Sequence, residues 1–362
     1  MKRIKIAILG QGRSGWDIHT AYLKHDTNHF EVAAVADPIA ARRQQAAVVF
    51  GCDTYEDYAA IFDRNDIELV VNALPSHLHV PVTRQLLERG FHVLCEKPAA
   101  RYAHEVDALI ECAEKHGRMY AIFQQSRLAL YFQKIVEVVN SGDLGRLIEV
   151  KIRFNGFARR WDWQTLQRFN GGSLLNTGPH PLDQALHLLQ TDDLPQVRCR
   201  MERVNTFGDA EDFVKLILTA PDRPLIDLEI SSCSAYPSPL YEIQGSRGGL
   251  RATTTGVDWR YFDESLAPAQ TLQIEPLQKP DGSPAYCSES LPWVEKHWQQ
   301  DDEEDTFVGA TGRLYANLYA HLTTGEPLLI TPQQVRQQIA VIEECHRQNP
   351  LPAMQAGGSP ID

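Results

Sequence analysis

The stretch IKIAILGQGRSG, residues 4–15, decides the fold of this chain. Apart from Lys5, its first six residues are apolar and rich in β-branched side chains, which is typical of a buried strand. A helical stretch begins at Gly15. Between strand and helix, Gly10 allows a tight turn, Gly12 lets the backbone approach a pyrophosphate, and Gly15 lets the two elements pack closely. The stretch therefore predicts a dinucleotide-binding turn, with cofactor contacts from Gly10, Gly12, Arg13, Ser14 and Gly15.

The rest of the first 124 residues repeats this alternation of short apolar runs and longer helical stretches. Such alternation predicts βαβ units, which build a parallel sheet covered by helices. We therefore expect an α/β domain at residues 1–124 with a doubly wound Rossmann sheet. Its expected strands are Ile4–Leu9, Glu31–Ala36, Glu68–Leu74, Phe91–Cys95 and Met119–Phe123.

Beyond residue 124 the expected strands follow one another across turns, which predicts a large, mostly antiparallel sheet. We assign residues 125–347 to an α+β domain for substrate binding and oligomerisation. Residues 264–305, which include several prolines and the acidic run Asp301–Asp305, indicate a long surface excursion. Residues 348–362 are expected to form a loosely ordered tail. The expected strands of this domain lie at 147–154, 196–204, 213–219, 225–231 and 240–245.

Asp37 ends the second expected strand, at the position where a carboxylate accepts hydrogen bonds from ribose hydroxyls. The same negative charge would repel a 2′-phosphate, so the sequence favours NAD and disfavours NADP. Arg42 and Arg43 lie nearby and would weaken that preference if one of them turned toward the ribose. In the alternative without a cofactor, the glycines only form a turn and Asp37 caps the next helix.

Composition and charge limit the function classes of the chain. The 362 residues carry 35 Lys and Arg against 47 Asp and Glu, which gives a formal net charge of −12. Such a charge repels phosphate backbones and anionic membranes, and no apolar run approaches the length of a membrane span. The seven cysteines form no CxxC pair, and the apolar run near the start is too short for a signal peptide. We expect free thiols, a cytoplasmic location, and no nucleic-acid or membrane partner.

Three further motifs accompany the glycine-rich turn. They are a P-x-x-x-H loop from Pro75 to His79, a strand that ends in Glu96-Lys97-Pro98, and the segment GGSLLNTGPHPLD at residues 171–183. Together, these motifs resemble the Gfo/Idh/MocA family of glucose-fructose oxidoreductases and inositol dehydrogenases. The resemblance covers most of the chain, although residues 255–305 match nothing in it.

The resemblance implies an NAD-dependent dehydrogenase that acts on a hydroxyl group of a sugar or cyclitol. It implies that Glu96 lies at the nicotinamide ribose, that Lys97 reaches both cofactor and substrate, and that a cis peptide bond precedes Pro98. The other implied cofactor contacts are Pro75, His79 and Gln125.

Lys97 and His180 also have a physical rationale as the reacting pair. A lysine at the carboxyl end of a parallel strand points into the crevice where such sheets bind ligands, and its charge stabilises a developing alkoxide. Histidine titrates near neutral pH and is a natural base for a hydroxyl proton. Asp183 stands one helical turn after His180, where it would orient the ring or hold a neighbouring substrate hydroxyl. Asn176 departs from the Asp of many family members, and an amide binds a hydroxyl but takes no proton.

The segment before these residues predicts the walls of a substrate pocket. Trp161 and Trp163 would stack on the C–H face of a sugar, although filling the interface between sheet and helix explains them equally well. Arg159 or Arg160 would instead suit a carboxylate or phosphate. The predicted substrate contacts are Lys97, Arg127, Trp161, Trp163, Asn176, His180 and Asp183, and the predicted ligand is a small sugar or polyol.

Three alternatives remain beside the dehydrogenase. Some members of the family are NAD-dependent glycosidases that oxidise, eliminate, hydrate and reduce again, and the sequence does not separate them from dehydrogenases. A sugar-sensing or nucleotide-sensing regulator on the same fold is disfavoured because it would not need the proton-transfer residues. A metal site at His77, His79, His180, Asp183 and His187 is also disfavoured, and we predict no metal. We further expect a homodimer or homotetramer, because an uncovered sheet face would leave an apolar patch.

Overall fold

Two β-sheets organise the chain in the computed structural model, which describes residues 2–300 and 306–354. Six parallel strands form the first sheet, and their spatial order reverses direction beside the first strand. These strands are β1 (Ile4–Leu9), β2 (Phe30–Ala36), β3 (Asp53–Tyr55), β4 (Leu69–Asn72), β5 (His92–Cys95) and β6 (Tyr120–Ile122). Their order is β3-β2-β1-β4-β5-β6, so the carboxyl ends of β1 and β4 flank the reversal where open sheets bind ligands.

The first sheet forms because its central strands are apolar on both faces. All four residues of β4 are fully buried, as are five of the six in β1. Helices pack on the sheet between the strands and supply the other side of the core. They are a π-helical segment (Ser14–Thr20) that continues into α1 (Ala21–Leu23), then α2 (Ala40–Phe50), α3 (His79–Glu88) and α4 (Ala103–His116).

The second sheet has eight strands in the order β14-β13-β12-β11-β7-β10-β9-β8. All neighbours are antiparallel except the interior pair β7 and β10. Inward residues such as Val150 and Ile152 are buried, while Glu149 and Lys151, which alternate with them, face outward. The strands are β7 (Leu147–Asn155), β8 (Gln196–Glu202), β9 (Phe213–Thr219), β10 (Leu225–Ser231), β11 (Tyr241–Gly245), β12 (Gly248–Ala252), β13 (Gly256–Phe262) and β14 (Trp293–Gln299).

Helices of the second half connect the two sheets. The helix α7 packs on β7 and β10, whereas α8 and α9 return to the first half, where α9 contacts α4 and β6. Tyr315 of α8 stacks on Tyr22, so the C-terminal part of the chain completes the core of the first domain. These helices are α5 (Leu130–Ser141), α6 (Ser173–Asn176), α7 (Pro179–Leu189), α8 (Thr306–Thr324) and α9 (Pro332–Gln348).

The fold class agrees with the sequence prediction, and the differences concern short or exposed strands. The sequence analysis missed β3, which has only three residues and begins with two exposed polar ones. It also missed β12 and β13 and placed β14 inside a surface excursion, because β14 is exposed along most of its length and lacks a clear alternation. The acidic run Asp301–Asp305 and residues 355–362 of the expected tail lie outside the described residues. Within the described ranges, no helix is both long enough and apolar enough to span a membrane.

Candidate active site

The glycine-rich turn joins β1 to the π-helical segment, and its three glycines meet different surroundings. Gly10 has a φ of +88°, and a Cβ there would lie 2.6 Å from the Ala73 carbonyl oxygen. A Cβ on Gly15 would lie 1.9 Å from the Gly10 carbonyl oxygen. A Cβ on Gly12 would meet nothing within 4 Å. Gly10 and Gly15 are therefore required by packing, whereas Gly12 leaves open space beside the backbone, as a bound pyrophosphate needs.

Asp37 follows β2 and is buried next to the glycine-rich turn. One of its carboxylate oxygens accepts the Gln11 backbone N–H at 2.7 Å, and the other accepts the Ile39 N–H at 2.8 Å. The Arg42 guanidinium lies 3.5 Å from the first oxygen. These bonds fix the carboxylate at the end of β2, where a cofactor ribose would lie.

Glu96 follows β5 and is buried in a hydrogen-bonded row that reaches the C-terminal helices. Its Oε1 lies 3.2 Å from His19 Nε2, and His19 Nδ1 lies 2.8 Å from the Tyr315 hydroxyl. Burial alone would raise the pKa of the Glu96 carboxyl, but the hydrogen bond and charge of His19 and the charge of Lys97 outweigh it and lower the pKa. The row therefore holds an ionised carboxylate at the edge of the cofactor crevice.

The loop histidine of the P-x-x-x-H motif stabilises the backbone around the cis peptide bond. His79 is buried, with ring nitrogens 2.7 Å from the Pro98 carbonyl and 2.9 Å from the Leu74 carbonyl. The Lys97-Pro98 bond is cis, as the resemblance implied. Pro75 stands between β4 and the short turn Ser76–Leu78. Through these two hydrogen bonds, His79 connects the segment after β4 to the turn after β5.

Lys97 lies at the carboxyl end of β5 and is partly buried. Its Nζ donates to the backbone carbonyl of Asn176 at 2.8 Å. Burial lowers the pKa of the Lys97 amine, and the charges of Arg13 and Arg160 lower it further against the opposing effect of Glu96. The Asn176 side chain accepts from Gln164 Nε2 at 3.1 Å through its Oδ1. Its NH₂ group has no partner within the described part of the chain and stays available to a ligand.

His180 stands in the first turn of α7, and the charge of Lys97 acts on it. Its Nδ1 lies 3.1 Å from the Ser126 hydroxyl, while its Nε2 has no hydrogen bond to any described residue. Burial and the charge of Lys97 lower the pKa of the His180 ring to about 3. The ring is therefore neutral at physiological pH and leaves one nitrogen for a substrate.

Asp183 makes its contacts away from His180. Both of its oxygens accept from the Arg127 guanidinium, with 2.8 Å between Arg127 Nε and Asp183 Oδ2. Arg127 Nη1 also donates to Gln334 of α9 at 2.6 Å. Since both charged side chains are buried and paired, they hold α7, the turn at Gln125–Leu128 and α9 together. In the described residues, no hydrogen bond or ion pair joins Asp183 to His180.

The remaining predicted residues are one buried glutamine and two exposed tryptophans. Gln125 is buried, and its side-chain oxygen has no partner in the described residues. Trp161 and Trp163 are 77% and 40% exposed, so they do not fill the interface between sheet and helix. Trp161 packs edge-on against Phe207, and Trp163 packs against Phe169. Both indoles are therefore accessible from solvent.

Several residues that build the site were missed by the sequence analysis. Glu211 is buried, and it holds the start of α6 through the Leu174 N–H, which its Oε1 accepts at 2.9 Å. Burial raises the pKa of this carboxyl to about 7. Two adjacent acids directly before a strand, Glu211 and Asp212, were the available signal. Ser126 and Gln164 carry no motif and are recognised only by their contacts with His180 and Asn176.

The described residues contain no group of three His, Cys, Asp or Glu side chains arranged to hold a metal ion. The residues that are present do fit a dinucleotide. Gly12 leaves space at the turn, Asp37 and Glu96 lie at the ends of β2 and β5, and the unpartnered amide oxygen of Gln125 is available to a further ligand.

Comparison with known proteins agrees with this geometry. Residues 4–124 match the family model described as "Oxidoreductase family, NAD-binding Rossmann fold", and residues 132–251 match "GFO/IDH/MocA C-terminal domain". A crystal structure of an NAD-binding protein from Listeria innocua shares the fold, with a TM-score of 0.78 and 21% identity. The match covers 98% of this chain and all of the Listeria innocua chain.

Three curated relatives show the range of activities among similar proteins. An uncharacterised oxidoreductase of Schizosaccharomyces pombe is 30% identical over 74% of this chain and 75% of its own length. A 2,7-anhydro-N-acetylneuraminate hydratase of Mediterraneibacter gnavus is 25% identical, over 69% of this chain and 67% of its own. A D-glucoside 3-dehydrogenase of Escherichia coli is 30% identical over 51% of this chain and 54% of its own. The chain is therefore a member of the Gfo/Idh/MocA oxidoreductase family, with an NAD-binding Rossmann-fold domain at its N-terminus.

Proposed function

We propose that the protein is an NAD-dependent dehydrogenase that transfers hydride between the nicotinamide and a secondary hydroxyl of a sugar or cyclitol. The observation that carries this proposal is the meeting of Lys97, Asn176 and His180 at the carboxyl end of β5. A cation, an amide and a neutral imidazole at one place can hold a hydroxyl group and accept its proton. The D-glucoside 3-dehydrogenase among the relatives supports this choice of substrate.

In this proposal His180 accepts the hydroxyl proton and Lys97 stabilises the developing charge. With Nδ1 directed at Ser126, the free Nε2 of His180 is the nitrogen that faces the substrate. The Lys97 ammonium stabilises negative charge on the substrate oxygen as the C–H bond is broken. The free NH₂ of Asn176 binds a neighbouring hydroxyl. The cofactor supplies the hydride acceptor, held by Asp37, Glu96, Gln125 and the glycine-rich turn.

Asp183 and Arg127 act as positioning residues in this proposal. Their buried ion pair fixes the start of α7, which carries His180, against the turn that carries Ser126. Neither charge is then available to bind a substrate hydroxyl. The aromatic rim of Trp161 and Trp163 remains available to stack on a sugar.

Asp37 makes NAD the expected cofactor in preference to NADP. Its buried carboxylate is fixed by two backbone N–H groups, so it cannot turn away from a 2′-phosphate. Arg43 donates to the carbonyls of Asp37 and Pro38 and does not point to a ribose site. Arg42 contacts Asp37 itself and offsets only part of its charge.

A homodimer or homotetramer stays a prediction. The sheet face that was expected to form the contact between subunits lacks the apolar surface that the prediction assumed. The outer face of the second sheet is charged rather than apolar. One cross-strand row alternates in sign along Asp227, Lys151, Glu242, Arg251 and Asp258. Light scattering after size-exclusion chromatography tests the prediction, and a monomer at micromolar concentration would contradict it.

A cytoplasmic location also stays a prediction, supported by the seven free cysteines.

A second candidate function keeps the same site but recycles the cofactor. The hydratase among the relatives favours it, because a hydration involves no net redox change. In this version bound NAD would take up hydride from the substrate and return it after a water has been eliminated or added, and the same residues would bind the substrate and move its proton. The two candidates differ in whether reduced cofactor accumulates.

The test is the absorbance of reduced nicotinamide after mixing the protein with NAD and a panel of inositols, aldoses and glycosides. The proposal expects a signal for at least one sugar or cyclitol, and its loss in Lys97→Met. An equal signal in Lys97→Met would refute the role of Lys97. No signal, combined with a product of unchanged oxidation state, would favour the recycling candidate.

A further inference from the structure

The proposed reaction gives His180 a proton that its surroundings do not favour. Burial and the positive charge of Lys97 both lower the pKa of the ring, to about 3. An imidazolium at this place would have to form next to another cation and away from water, and both conditions favour the neutral ring. A proton taken from the substrate hydroxyl by one ring nitrogen must therefore be matched by a proton that leaves the other.

The carboxylates near His180 are already engaged. Asp183, one helical turn further along α7, gives both oxygens to the Arg127 guanidinium. The charge of Glu96 acts on the ring, but its Oε1 lies 3.2 Å from His19 Nε2. Within the described ranges, neither carboxylate is hydrogen-bonded to His180, so neither one receives its proton directly.

The His180 ring makes one hydrogen bond within the described residues, to the Ser126 hydroxyl, with 3.1 Å between Nδ1 and Oγ. A second contact holds the two residues together. The Ser126 carbonyl accepts from Gln184 Nε2 at 2.7 Å, and Gln184 lies one helical turn after His180 on the same face of α7. The same carbonyl accepts the Ala129 N–H at 3.2 Å. The turn and the helix are therefore joined both through the serine backbone and through its hydroxyl.

The Ser126 hydroxyl remains free to make another hydrogen bond. The side chain is partly exposed, and its oxygen has no second hydrogen-bond partner among residues 2–300 and 306–354. A hydroxyl accepts one hydrogen bond and donates another at the same time. Ser126 can therefore accept the Nδ1 proton of His180 while it donates its own proton to a water molecule.

We propose that Ser126 is a positioning residue that acts through His180 and passes the proton of the substrate hydroxyl to solvent water. The hydroxyl gives its proton to His180 Nε2, Nδ1 gives its proton to Ser126 Oγ, and the Ser126 hydroxyl gives its former proton to water. The hydride leaves the same substrate carbon for bound NAD, so the alcohol becomes a ketone and no imidazolium forms. After the ketone leaves, the ring returns to its first tautomer by exchanging both protons with water. The inference rests on the proposed function, since it adds the proton path of the same site.

Ser126→Ala removes the hydroxyl and leaves the backbone hydrogen bonds of the turn in place. We expect kcat to fall by roughly 10–100-fold at about pH 7, while KM for the sugar stays within about threefold because Ser126 does not touch the substrate. Ser126→Thr keeps a hydroxyl and is expected to recover most of the rate. Ser141→Ala removes a hydroxyl that donates to the Val138 carbonyl at the end of α5, and it serves as the control. A kcat of Ser126→Ala equal to that of the wild type would overturn the inference.

The pH dependence of kcat separates a proton path from a structural role. Without the serine hydroxyl, hydroxide ions can remove the proton instead, and their concentration rises with pH. The ratio of wild-type kcat to Ser126→Ala kcat should therefore shrink by up to about tenfold per pH unit between roughly pH 6 and 9. Lys97 and Glu96, the charged groups that act on His180, are present in both proteins, so their titration does not enter the ratio. A ratio that is the same at every pH would mean that Ser126 only supports the turn, and would overturn the inference.

The tautomer of His180 tests the inference without turnover. NMR of the NAD-loaded protein with nitrogen-15-labelled histidine shows which ring nitrogen carries the proton, and the His180 signals are those missing in His180→Gln. The expected result is a proton on Nδ1 and none on Nε2. A proton on Nε2 would overturn the inference, because that nitrogen could not then accept one from the substrate. A failure of the proposed function appears separately, as the expected tautomer without reduced nicotinamide from any sugar.

Discussion

The nucleotide half and the substrate half of the site are built in different ways. In the nucleotide half the backbone forms the site: Gly10 is required by the close Ala73 carbonyl after β4, and Gly15 by the Gly10 carbonyl within the turn. In the substrate half the site is made of side chains from segments far apart in sequence, with Lys97, Asn176 and Arg160 joined only through hydrogen bonds. The substrate half also has local motifs, Glu96-Lys97-Pro98 and residues 171–183, but these motifs do not show which side chains contact one another.

The largest effect on the free energy of unfolding is expected from a substitution that disrupts the glycine-rich turn itself. Gly15→Ala places a methyl group 1.9 Å from the Gly10 carbonyl oxygen, and both atoms belong to a turn that cannot shift without moving β1. We expect a loss of about 4 kcal/mol or more in the free energy of unfolding, measured by chemical denaturation.

Gly12→Ala is the matched control for this substitution. Its methyl group meets no atom within 4 Å, so the free energy of unfolding should change by less than about 1 kcal/mol. Calorimetry should nevertheless show that the Kd for NAD rises at least roughly tenfold, because the methyl group occupies the space of the pyrophosphate. Unchanged NAD binding in Gly12→Ala would contradict the assignment of the turn.

A smaller loss in the free energy of unfolding is expected when the buried ion pair of the substrate half is broken. Asp183→Asn leaves the buried Arg127 charge uncompensated, which should lower the free energy of unfolding by about 3 kcal/mol. Asp107→Asn, which breaks the exposed pair with Arg336, should cost less than about 1 kcal/mol. If Asp183→Asn were as stable as the control while kcat fell, Asp183 would act on the substrate instead of holding α7.

The preference for NAD over NADP is expected to depend on one side chain in the nucleotide half, that of Asp37. Asp37→Asn removes the charge that repels a 2′-phosphate and keeps an acceptor oxygen for a backbone N–H. The ratio of kcat/KM for NADP to that for NAD should rise about tenfold, the equivalent of roughly 1.4 kcal/mol. A ratio that stays at the wild-type value would place the source of the preference elsewhere.

The smallest effect concerns the titration of His180. Burial and the charge of Lys97 lower its pKa to about 3, so NMR should show no titration of this ring between roughly pH 5 and 8. Lys97→Met removes the charge but not the burial, so the midpoint should rise while staying below the ordinary value. A wild-type midpoint near the ordinary value of 6.5 would mean that Lys97 and His180 do not share one pocket.

The same shift has a consequence for stability. Because the native protein holds His180 neutral, the unfolded chain takes up a proton first as the pH falls below about 6.5. The contribution of His180 to stability is therefore complete above that pH and decreases toward pH 3, by about 1.4 kcal/mol for each pH unit.

The sequence predicted the fold class and the NAD-binding domain because both follow from local patterns. Apolar runs of the length of a strand and the GxGxxG spacing are visible without any knowledge of distant contacts. The strand β14 was missed because its side chains are mostly exposed, so no alternation marks it. The pairing of Asp183 with Arg127 was missed for a different reason. The spacing of His180 and Asp183 puts both on one helix face, and Arg127 was predicted to contact the substrate, but nothing in the sequence pairs Arg127 with Asp183.

The most direct test of the account is a single-turnover experiment with NAD-loaded protein and the best sugar from the panel. Reduced nicotinamide is followed by rapid mixing at known protein concentration. The bound NAD supplies at most one equivalent of reduced nicotinamide in the first turnover, and the account predicts that with excess NAD the amount exceeds one equivalent because the reaction continues. A signal limited to one equivalent or less, with a product of unchanged oxidation state, would move the protein to the recycling candidate. Sugar that is bound and converted without any reduced nicotinamide would contradict hydride transfer altogether.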